Sequence, residues 1–423
     1  MRIVFANPPF VVSKSSNKNN NFQISGMLYN KSFPRKWLWY LLRSRNTKYG
    51  VRAGARWTWY VDKPNGAYHY PFMMGYSVAL LRKNGFDALI YDSMAKEEYS
   101  YNSFIQNITN LKPDIVIIET SFPSLEVDLW LSKTLSDYCS VGLSGPHINT
   151  LLNKLKKYKY IKYLLPGEYI NSSLEMAKFH KTKSVFLPTI AELDDLPMPF
   201  RDYNEITRYH DSSMSTKRPQ LQVYGGKGCP FRCTFCLWPQ AAYAGQLSLR
   251  SPKKVAKEIK HCRDKYGFKS VFFDDDTFNI GQERVSKLCD ELKKIGLPWT
   301  MMGRLDASPD WLFDKMVDSG CVGMRFGVES LNSEILKNIK KGLMRENILG
   351  TVKKLSNKHP KLMLRLLLMK NLPGQTTKMH QEDLKKFKNL GFSKSSTLRQ
   401  IQIADYVPLP GTEMYKKKNK DKA

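Results

Sequence analysis

Cys229, Cys233 and Cys236 lie within the short stretch CPFRCTFC, whereas the 423-residue chain has only seven cysteines in all. Structural zinc usually takes four ligands from two spaced pairs, and no second pair accompanies this stretch. The nearest alternative, His261 with Cys262, falls inside a predicted helix. Three thiolates on one loop are instead suited to three irons of a cubane [4Fe–4S] cluster, with the fourth iron left open. The spacing therefore predicts an iron–sulfur cluster rather than zinc.

The element that carries these cysteines is the first strand of a predicted parallel sheet. Six strands alternate with helices from about residue 220 onward, which is the pattern of β/α units. The predicted strands are LQVYGG, SVFFDD, WTMMGR, VGMRFGVE, LMLRLLLM and RQIQIADY, and the predicted helices are 252–265, 281–295, 309–319, 332–356 and 377–390. Six units predict an incomplete (β/α) barrel. Chemistry in such barrels collects at the carboxyl ends of the strands, where the cysteines lie.

A second alternating pattern occupies the first part of the chain. Its predicted strands are RIVFA, DALIYD, DIVIIET, SVGLSG and YIKYLL, and its helices are 72–85, 100–111, 124–137 and 148–158. Five strands with helical crossovers predict a doubly wound sheet of Rossmann type. Ligands bind such sheets at the carboxyl ends of the strands, where NPPF, TSFPS, SGPHIN and PGEYIN fall.

The remaining segments give the domain boundaries. Residues 11–70 interrupt the first sheet with Ser/Asn/Lys-rich and then aromatic, basic sequence. A loop this long is usually functional or disordered, and it either covers the domain with buried tryptophans or contacts substrate. The acidic, proline-rich stretch AELDDLPMPFRDY favours a linker over 191–214. We therefore expect domains at 1–190 and 215–412 and a basic tail at 413–423.

Composition excludes several classes of protein. Hydrophobic residues make up 42% and aromatic residues 12%, so the chain is not disordered. The N-terminus MRIVFANPPF lacks the apolar region of a signal peptide, and the apolar run LMLRLLLM is short and contains Arg365. The other cysteines, Cys139, Cys262, Cys289 and Cys321, are scattered, which argues against a disulfide framework. We expect a cytoplasmic protein with no membrane span.

The formal charge of +29 is the remaining compositional feature. Much of it comes from lysines spread along helices and from the C-terminal KKKNKDKA, which favours a solvated basic surface. Anionic substrates or RNA are the alternatives.

The stretch CPFRCTFC resembles the CxxxCxxC signature of the radical SAM superfamily. The motifs NPPF, SGPH, PGEY, ELDDLPMPFRDY, LRSPKKVAKEI, FFDDDTFN, GRLDASPDWL, RFGVESLNSEILKNIKKG, NLPGQT and YVPLPGTEMY resemble the cobalamin-binding radical SAM subfamily and follow its order. The resemblance spans nearly the whole chain apart from residues 11–70. It implies a Rossmann-like cobalamin-binding domain followed by a partial (β/α)6 radical SAM barrel.

The resemblance also implies the cofactors and the reaction. The open iron would hold the amino and carboxylate groups of S-adenosylmethionine, and reductive cleavage would give methionine and a 5′-deoxyadenosyl radical. Cobalamin would serve the methylation of an unactivated carbon. An electron donor such as flavodoxin or ferredoxin would be the protein partner, and the substrate would be a small molecule such as a natural product or an envelope precursor, rather than nucleic acid.

The same resemblance assigns residues to S-adenosylmethionine. Polar strand ends would receive its charged groups and its ribose, and an aromatic side chain between two cysteines would lie near adenine. The residues are Phe235, Asp274, Asp275, Asp276, Arg304, Glu329 and Ser330. For each acidic residue, a helix cap or a solvated loop position is the alternative.

For cobalamin, the resemblance implies contacts from the carboxyl edge of the first sheet. They would come from Asn7, Pro8, Ser121, Ser144, Gly145, His147, Gly167 and Glu168. The corrinoid motif DxHxxG, which supplies a histidine beneath cobalt, is missing. We therefore expect His147 to cap a helix and not to ligate cobalt. A sheet retained as a scaffold without cobalamin stays open as an alternative.

Other reactions compete with methylation. A radical SAM epimerase, dehydratase or ring-rearranging enzyme with a vestigial cobalamin domain is the main alternative. A tRNA-modifying enzyme is disfavoured because no appended RNA-binding module is visible. A non-enzymatic iron–sulfur protein is disfavoured because three cysteines leave one iron without a protein ligand.

Overall fold

A computed structural model describes residues 1–9, 11–13, 47–51, 59–61, 68–122, 124–211, 214 and 216–420. The chain divides into two compact units. One comprises Met1–Ile190 with Leu196–Tyr209, and the other comprises Ala191–Asp195 with His210–Ala423. Most of the predicted insertion at 11–70 lies outside the described residues, so its expected role as a cover or substrate contact stays a prediction.

The described strands, in chain order, are β1 Arg2–Asn7, β2 Val11–Ser13, β3 Thr47–Val51, β4 Trp59–Val61, β5 Asp87–Asp92, β6 Ile115–Glu119, β7 Ser140–Gly145, β8 Tyr163–Pro166, β9 Gln220–Val223, β10 Gly226–Lys227, β11 Ser248–Leu249, β12 Ser270–Phe273, β13 Trp299–Gly303, β14 Cys321–Glu329, β15 Met363–Lys370 and β16 Arg399–Asp405. The helices are α1 Phe72–Lys83, α2 Tyr101–Asn110, α3 Leu125–Leu135, α4 Ile148–Leu155, α5 Ile170–Phe179, α6 Pro252–Tyr266, α7 Gln282–Ile295, α8 Asp310–Asp318, α9 Ser333–Asn338, α10 Arg345–Lys358, α11 Thr377–Asn389 and α12 Glu413–Lys420.

The first unit contains a five-stranded parallel sheet in the order β5-β1-β6-β7-β8. When these five strands are numbered in chain order, they lie side by side in the sheet as 2-1-3-4-5. This is the order of flavodoxin-like folds, in which ligands bind where the strand order reverses. Here the order reverses between β1 and β6. The predicted doubly wound sheet is therefore confirmed, and its ligand edge is defined by the ends of these two strands.

Burial explains why these residues form strands and helices. Val4, Val116 and Val141 are fully buried and lie in one hydrophobic cluster with residues of the flanking helices, such as Phe104 and Leu131. Continuous apolar strands are expected when helices cover both faces of a parallel sheet. A separate antiparallel sheet joins β2, β3 and β4.

The second unit contains a six-stranded parallel sheet in the order β16-β15-β14-β13-β12-β9. Because each strand pairs with its neighbours in the sequence, the sheet follows the winding of a (β/α) barrel without closing among the described residues. The predicted partial (β/α)6 barrel is confirmed. A short antiparallel pair, β10 with β11, follows the first strand and was not predicted.

Alternating side chains give this sheet two different faces. On β14, Met324, Phe326 and Val328 are fully buried, and Phe326 packs against Phe313 of α8 with ring centroids 5.8 Å apart. Every second residue points the same way along a strand. The residues between these three, such as Arg325, therefore lie on the opposite face, which we call the inner face.

Three predicted elements need correction. The predicted helix 332–356 is two helices, because the backbone has positive φ at Lys340 (52°) and Gly342 (71°) between α9 and α10. The predicted strand YIKYLL begins only at Tyr163, since the preceding residues form a turn. Helix α5 was not predicted, and most of the predicted basic tail is the helix α12. Among the described residues, no helix combines the length and apolar character that crossing a membrane requires.

Candidate functional site

The cysteine loop begins immediately after β10. Gly228 has a φ of 83°, and a Cβ at this position would lie 2.0 Å from the carbonyl oxygen of Gln246. Only glycine fits a backbone that is both left-handed and this close to another segment. The turn by which the loop leaves the sheet therefore requires glycine at position 228.

Two acidic residues after β12 hold the entry to this loop. The amide of Gly225 donates to Asp275 Oδ1 at 2.8 Å, and the amide of Gly228 donates to Asp276 Oδ2 at 2.8 Å. Charge-assisted bonds of this kind are stronger than neutral ones. Asp274 and Asp275 are buried, so neither is a solvated loop residue.

Gln240 ties the end of the cysteine loop to the C-terminal helix. Its side-chain amide donates to the carbonyl oxygens of Cys233 (3.2 Å) and Cys236 (2.7 Å). Its carbonyl oxygen accepts from the amide of Glu413, at the start of α12, at 2.8 Å. The loop is therefore fixed at its start by the acidic residues after β12 and at its end by Gln240, which is itself bonded to the distant helix α12.

The three thiols have different surroundings. Cys229 Sγ lies 3.3 Å from the hydroxyl of Thr277, and Cys233 Sγ lies 3.9 Å from Arg304 Nη1. Burial raises the pKa of Cys229. At Cys236, burial acts together with the negative charges of Asp276 and of the other two thiolates, and all of them raise the pKa of this thiol. These shifts favour protonated thiols until a positively charged metal centre binds them. Within the described part of the chain, no three His, Cys, Asp or Glu side chains form a group that could hold a single metal ion, whereas in a cubane cluster each thiolate binds a different iron.

Arg304, at the end of β13, is engaged on every side of its guanidinium. It stacks on the ring of Phe231 at 3.6 Å, and it bonds both carboxylate oxygens of Asp306 at 2.9 and 2.8 Å. Nη2 also donates to the carbonyl oxygen of Lys341 at 2.7 Å. The structure therefore holds Arg304 against the cysteine loop, where it contacts Phe231 and Cys233, and its assignment to S-adenosylmethionine stays a prediction.

The backbone of Arg304 is fixed by Asn279 of the FFDDDTFN stretch. The Asn279 side chain accepts from the Arg304 amide at 3.0 Å and donates to its carbonyl oxygen at 2.8 Å. A Cβ on the preceding Gly303 would lie 2.3 Å from Asn279 Oδ1, so that this paired contact requires glycine there.

Glu329 and Lys341 form a buried ion pair at the end of β14. Glu329 Oε1 lies 3.1 Å from Lys341 Nζ, and both side chains are less than 10% exposed. Although burial lowers the pKa of Lys341, the charges of Glu329 and Cys233 raise it above its ordinary value. Glu329 also has a φ of 67°, a strained conformation for a non-glycine residue that is common at ligand sites.

The two remaining residues assigned to S-adenosylmethionine have structural contacts. The hydroxyl of Ser330 donates to Asp383 of α11 at 2.7 Å and is fully buried. Phe235 packs against the apolar cluster of Ile335, Ile339, Leu372 and Met414. Neither contact excludes a ligand on another side of these residues, and their assignment stays a prediction.

The residues assigned to cobalamin lie along one edge of the first sheet, after β1, β6, β7 and β8. Asn7 donates to Asp92 at 2.8 Å, and the hydroxyls of Ser121 and Ser124 lie 2.9 Å apart. Pro8 follows Asn7 directly, and Glu168 is fully buried.

Glycines keep part of this edge free of side chains. Gly145 has a φ of 117° and Gly167 a φ of 67°, and the amide of Gly167 donates to the carbonyl oxygen of Gly145 at 3.1 Å. Ser144, directly before Gly145, is fully buried and its hydroxyl has no partner among the described residues. A small-residue edge with an unsatisfied hydroxyl suits a flat ligand that lies against backbone.

His147 occupies the N-cap position of α4, but its side chain makes no capping bond. The expected N-cap position is therefore found, but the side chain itself does not cap the helix. The ring instead packs edge-on against Phe122 with centroids 4.5 Å apart, and Nδ1 is buried without a partner in the described chain. Burial lowers the pKa of His147 to about 4, which leaves the imidazole neutral at pH 7.

Sequence reasoning missed several residues of the cysteine site. They are Phe231, Gln240, Thr277, Asn279 and Lys341. For Lys341, the glycine that follows it in KKG was a usable signal, because a glycine within a helical pattern often marks the helix end. Phe231, Thr277 and Asn279 have no local signal, since their partners are distant in the sequence, as is the Glu413 partner of Gln240.

Comparison with known families decides the nature of the second unit. Residues 223–387 match the model described as "Radical SAM superfamily". The chain carries a radical SAM domain. The resemblance seen in CPFRCTFC is confirmed, and the match begins at the end of β9, directly before the cysteine loop.

Two relatives extend the similarity beyond the radical SAM domain. An uncharacterized methyltransferase, PH0819, of Pyrococcus horikoshii is 24% identical over 373 residues, which cover 82% of this chain and 77% of that protein. The cytidylyl-2-hydroxyethylphosphonate methyltransferase of Streptomyces wedmorensis is 28% identical over 360 residues, which cover 67% of this chain and 66% of that protein.

Two solved structures share the fold. The radical S-adenosylmethionine methyltransferase TsrM from Kitasatospora setae, with tryptophan substrate and a SAM analog bound, superposes with a TM-score of 0.63 at 15% identity and covers 81% of this chain and 72% of its own. The cobalamin-dependent S-adenosylmethionine radical enzyme OxsB, with aqua-cobalamin and S-adenosylmethionine bound, gives a TM-score of 0.63 at 16% identity and covers 83% of this chain. The chain spans about half of OxsB, 53% of its length. Both units of the radical SAM chain thus have the fold of these enzymes.

Proposed function

We propose that this radical SAM chain is a cobalamin-dependent enzyme that methylates an unactivated carbon of a small molecule. The observation that carries the proposal is the three-cysteine loop at the end of the first barrel strand, held at both ends by part-buried hydrogen bonds. Further support comes from the fold shared with TsrM and OxsB and from the two methyltransferase relatives.

The donor set of the loop fits a [4Fe–4S] cluster. Cys229, Cys233 and Cys236 are free thiols on a short segment, and thiolates are the ligands that such clusters take. Burial makes the Cys229 and Cys236 thiolates costly on their own, so that cluster binding relieves an unfavourable local charge. When bound, the cluster and S-adenosylmethionine together would supply a 5′-deoxyadenosyl radical, and cobalamin would supply a transferable methyl group.

Around the cysteine loop, the chain's own residues provide fixed charges for a zwitterionic ligand. The strand-end acids Asp274 and Glu329 are buried, and Lys341 lies beside Glu329. We propose that the ammonium and carboxylate of S-adenosylmethionine use this region, while Asp275 and Asp276 hold the backbone of Gly225 and Gly228. Fixed groups of this kind orient a ligand without reorganisation.

At the edge of the first sheet, the residues fit a large ligand that lies against backbone. Gly145 and Gly167 present no side chain, and Ser144 and His147 each have a buried polar atom without a partner among described residues. We propose that cobalamin binds this edge with no protein imidazole beneath cobalt. Burial keeps the His147 ring neutral in the chain without cobalamin.

We propose an external one-electron donor, such as flavodoxin or ferredoxin, and a reducing compartment such as the cytoplasm. All seven cysteines are free thiols, which agrees with reducing conditions.

Iron content and reductive cleavage of S-adenosylmethionine test the proposal. The variant in which Cys229, Cys233 and Cys236 are all replaced by Ala is reconstituted anaerobically beside the wild-type chain. We expect about four irons per wild-type chain with dithionite-dependent formation of 5′-deoxyadenosine, and loss of both in the variant. Cys139→Ala combined with Cys262→Ala is the matched control and should keep both. Full iron content in the triple variant would refute the assignment.

A further inference from the structure

Two arginines lie side by side on the inner face of the barrel sheet. Arg325 of β14 and Arg365 of β15 are direct partners in the parallel ladder. Both alternate with buried apolar residues that face the helices, such as Phe326 and Leu366, so that both side chains leave the sheet on its inner face. Like charges directly opposite each other on neighbouring strands destabilise a sheet.

Arg325 has a carboxylate partner. Its Nη2 lies 2.7 Å from Asp211 Oδ2, and both side chains are nearly buried. The segment that brings in Asp211 is itself fixed, because the Asp211 amide donates to Gln220 Oε1 at 2.6 Å. Arg325 also donates to the sulfur of Met302 at 3.3 Å. The Arg325 charge is therefore balanced by a built ion pair.

Arg365 has no such partner. No hydrogen bond or ion pair joins it to any residue that the structure describes, and its Nε is buried without an acceptor. Gln400, its ladder partner on β16, also has a buried and unsatisfied Oε1. Burial and the adjacent Arg325 charge lower the pKa of Arg365 to about 10, although Asp211 acts in the opposite direction. Arg365 therefore stays protonated at pH 7, beside a like charge, with an unused donor.

The side chain is nonetheless reachable, since Arg365 is half-buried rather than enclosed. Because the adjacent guanidinium of Arg325 is already paired with Asp211, the half-buried guanidinium of Arg365 has no counterion among the described residues. A guanidinium presents a planar fork of donors that matches an oxyanion in two parallel hydrogen bonds.

We propose that Arg365 binds an oxyanion group of the substrate, a phosphate, phosphonate or carboxylate, on the inner face of the barrel. The inference rests on the proposed function, because it takes the substrate to reach along the inner face from the carboxyl ends of the strands to Arg365, the third residue of β15. It adds a substrate class, namely small molecules that carry at least one such anionic group.

Inorganic phosphate is the probe for this site. The reconstituted full-length chain is unfolded by heat with increasing sodium phosphate, against sodium chloride of equal ionic strength. A ligand that binds only the folded chain raises the midpoint of unfolding. We expect phosphate to raise the midpoint of the wild-type chain and to lose this effect in Arg365→Gln, with affinity reduced about tenfold or more, as for loss of one charge-assisted pair. Lys361→Gln removes one exposed positive charge nearby and should keep the phosphate response.

The midpoint of thermal unfolding measured without phosphate shows whether Arg365 binds a ligand or stabilises the fold. Because Arg365 is unpaired and faces a like charge, Arg365→Gln should keep or raise this midpoint, whereas Arg325→Gln should lower it by breaking the pair with Asp211. Arg365→Lys keeps the positive charge but loses the planar fork of donors, so its phosphate response should be weaker than that of the wild-type chain. This variant replaces Arg365→Gln in the comparison if the glutamine variant does not fold.

An unchanged phosphate response in Arg365→Gln, or none in the wild-type chain, would overturn the inference. Cleavage of S-adenosylmethionine by the wild-type chain is measured in parallel. If the wild-type chain cleaves S-adenosylmethionine but phosphate does not raise its midpoint of unfolding, only the oxyanion site is refuted. If the wild-type chain does not cleave S-adenosylmethionine, the proposed function is refuted.

Discussion

At the scale of single residues, the cysteine loop has charges of opposite sign on its two sides. Arg304 donates toward Cys233 at 3.9 Å, and Lys341 adds a second positive charge close enough to be affected by that thiolate. The negative charge of Asp276 acts instead on Cys229 and Cys236. Net charge and hydrogen bonds to sulfur set the reduction potential of iron–sulfur clusters. The residues around the loop are thus placed to tune a cluster as well as to hold it.

Arg304→Gln tests this tuning. It removes a positive charge and a donor to Cys233, so that the reduced, more negative cluster is less stabilised. We expect the midpoint potential, measured by redox titration with electron paramagnetic resonance, to fall by about 60 mV, which corresponds to about 1.4 kcal/mol for one electron. Asp306→Asn removes a negative charge nearby and should shift the potential upward. An unchanged potential in Arg304→Gln, or a downward shift in both variants, would contradict the account.

His147 gives a pH prediction for the first unit. Its pKa in the folded chain is about 4, against an ordinary value of 6.5, because burial disfavours the charged ring. The unfolded chain therefore binds more protons between these values, and the contribution of His147 to stability, complete above pH 6.5, is lost as the pH falls toward 4. We expect nuclear magnetic resonance of histidine-labelled protein, assigned with His147→Phe, to show titration near pH 4. Titration near pH 6.5 would contradict the buried, neutral ring.

At the scale of elements, the turn into the cysteine loop depends on a single glycine. Gly228→Ala would place a Cβ 2.0 Å from a backbone oxygen, so the loop must move and with it the first cysteine. Gly267→Ala is the matched control, because its φ is also positive (71°) but nothing lies within 4 Å. We expect loss of iron binding in Gly228→Ala. The control should retain iron and lose only about 1 kcal/mol of unfolding free energy. Equal iron contents in the two variants would show that the turn does not position the cysteines.

Local patterns predict most of the elements and the place of the cysteines. Alternation of apolar strands with amphipathic helices was sufficient to predict both sheets, because parallel sheets bury both faces. The predicted helix 332–356 was wrong because its apolar spacing continues across Gly342, where the backbone turns. Helix α5 was missed because serines interrupt its apolar pattern.

Long-range pairs could not be predicted in the same way. Ser330 bonds Asp383, and Gln240 bonds the start of α12, across 53 and 173 residues of sequence. Such pairs depend on which elements pack together, and no local propensity encodes this. For the same reason, the bonds of Arg304 to Asp306 and of Ser330 to Asp383 were not predicted, and the roles assigned to both residues in ligand binding stay predictions.

At the scale of the whole molecule, two ligand edges lie on two compact units of one chain. In each unit, the site falls at the carboxyl ends of parallel strands, where backbone amides and loop residues converge. The first unit offers a glycine-lined edge with unsatisfied polar atoms, and the second offers three thiols on a fixed loop. The central claim is that one chain binds both a cobalamin and a [4Fe–4S] cluster.

The absorbance spectrum of the anaerobically reconstituted chain, purified after incubation with and without hydroxocobalamin, tests this claim most directly. The account predicts iron–sulfur absorbance in both samples, and about one cobalamin per chain in the sample that was given it. A chain that holds the cluster but no cobalamin would contradict the claim and would favour a radical SAM reaction without methyl transfer from cobalt.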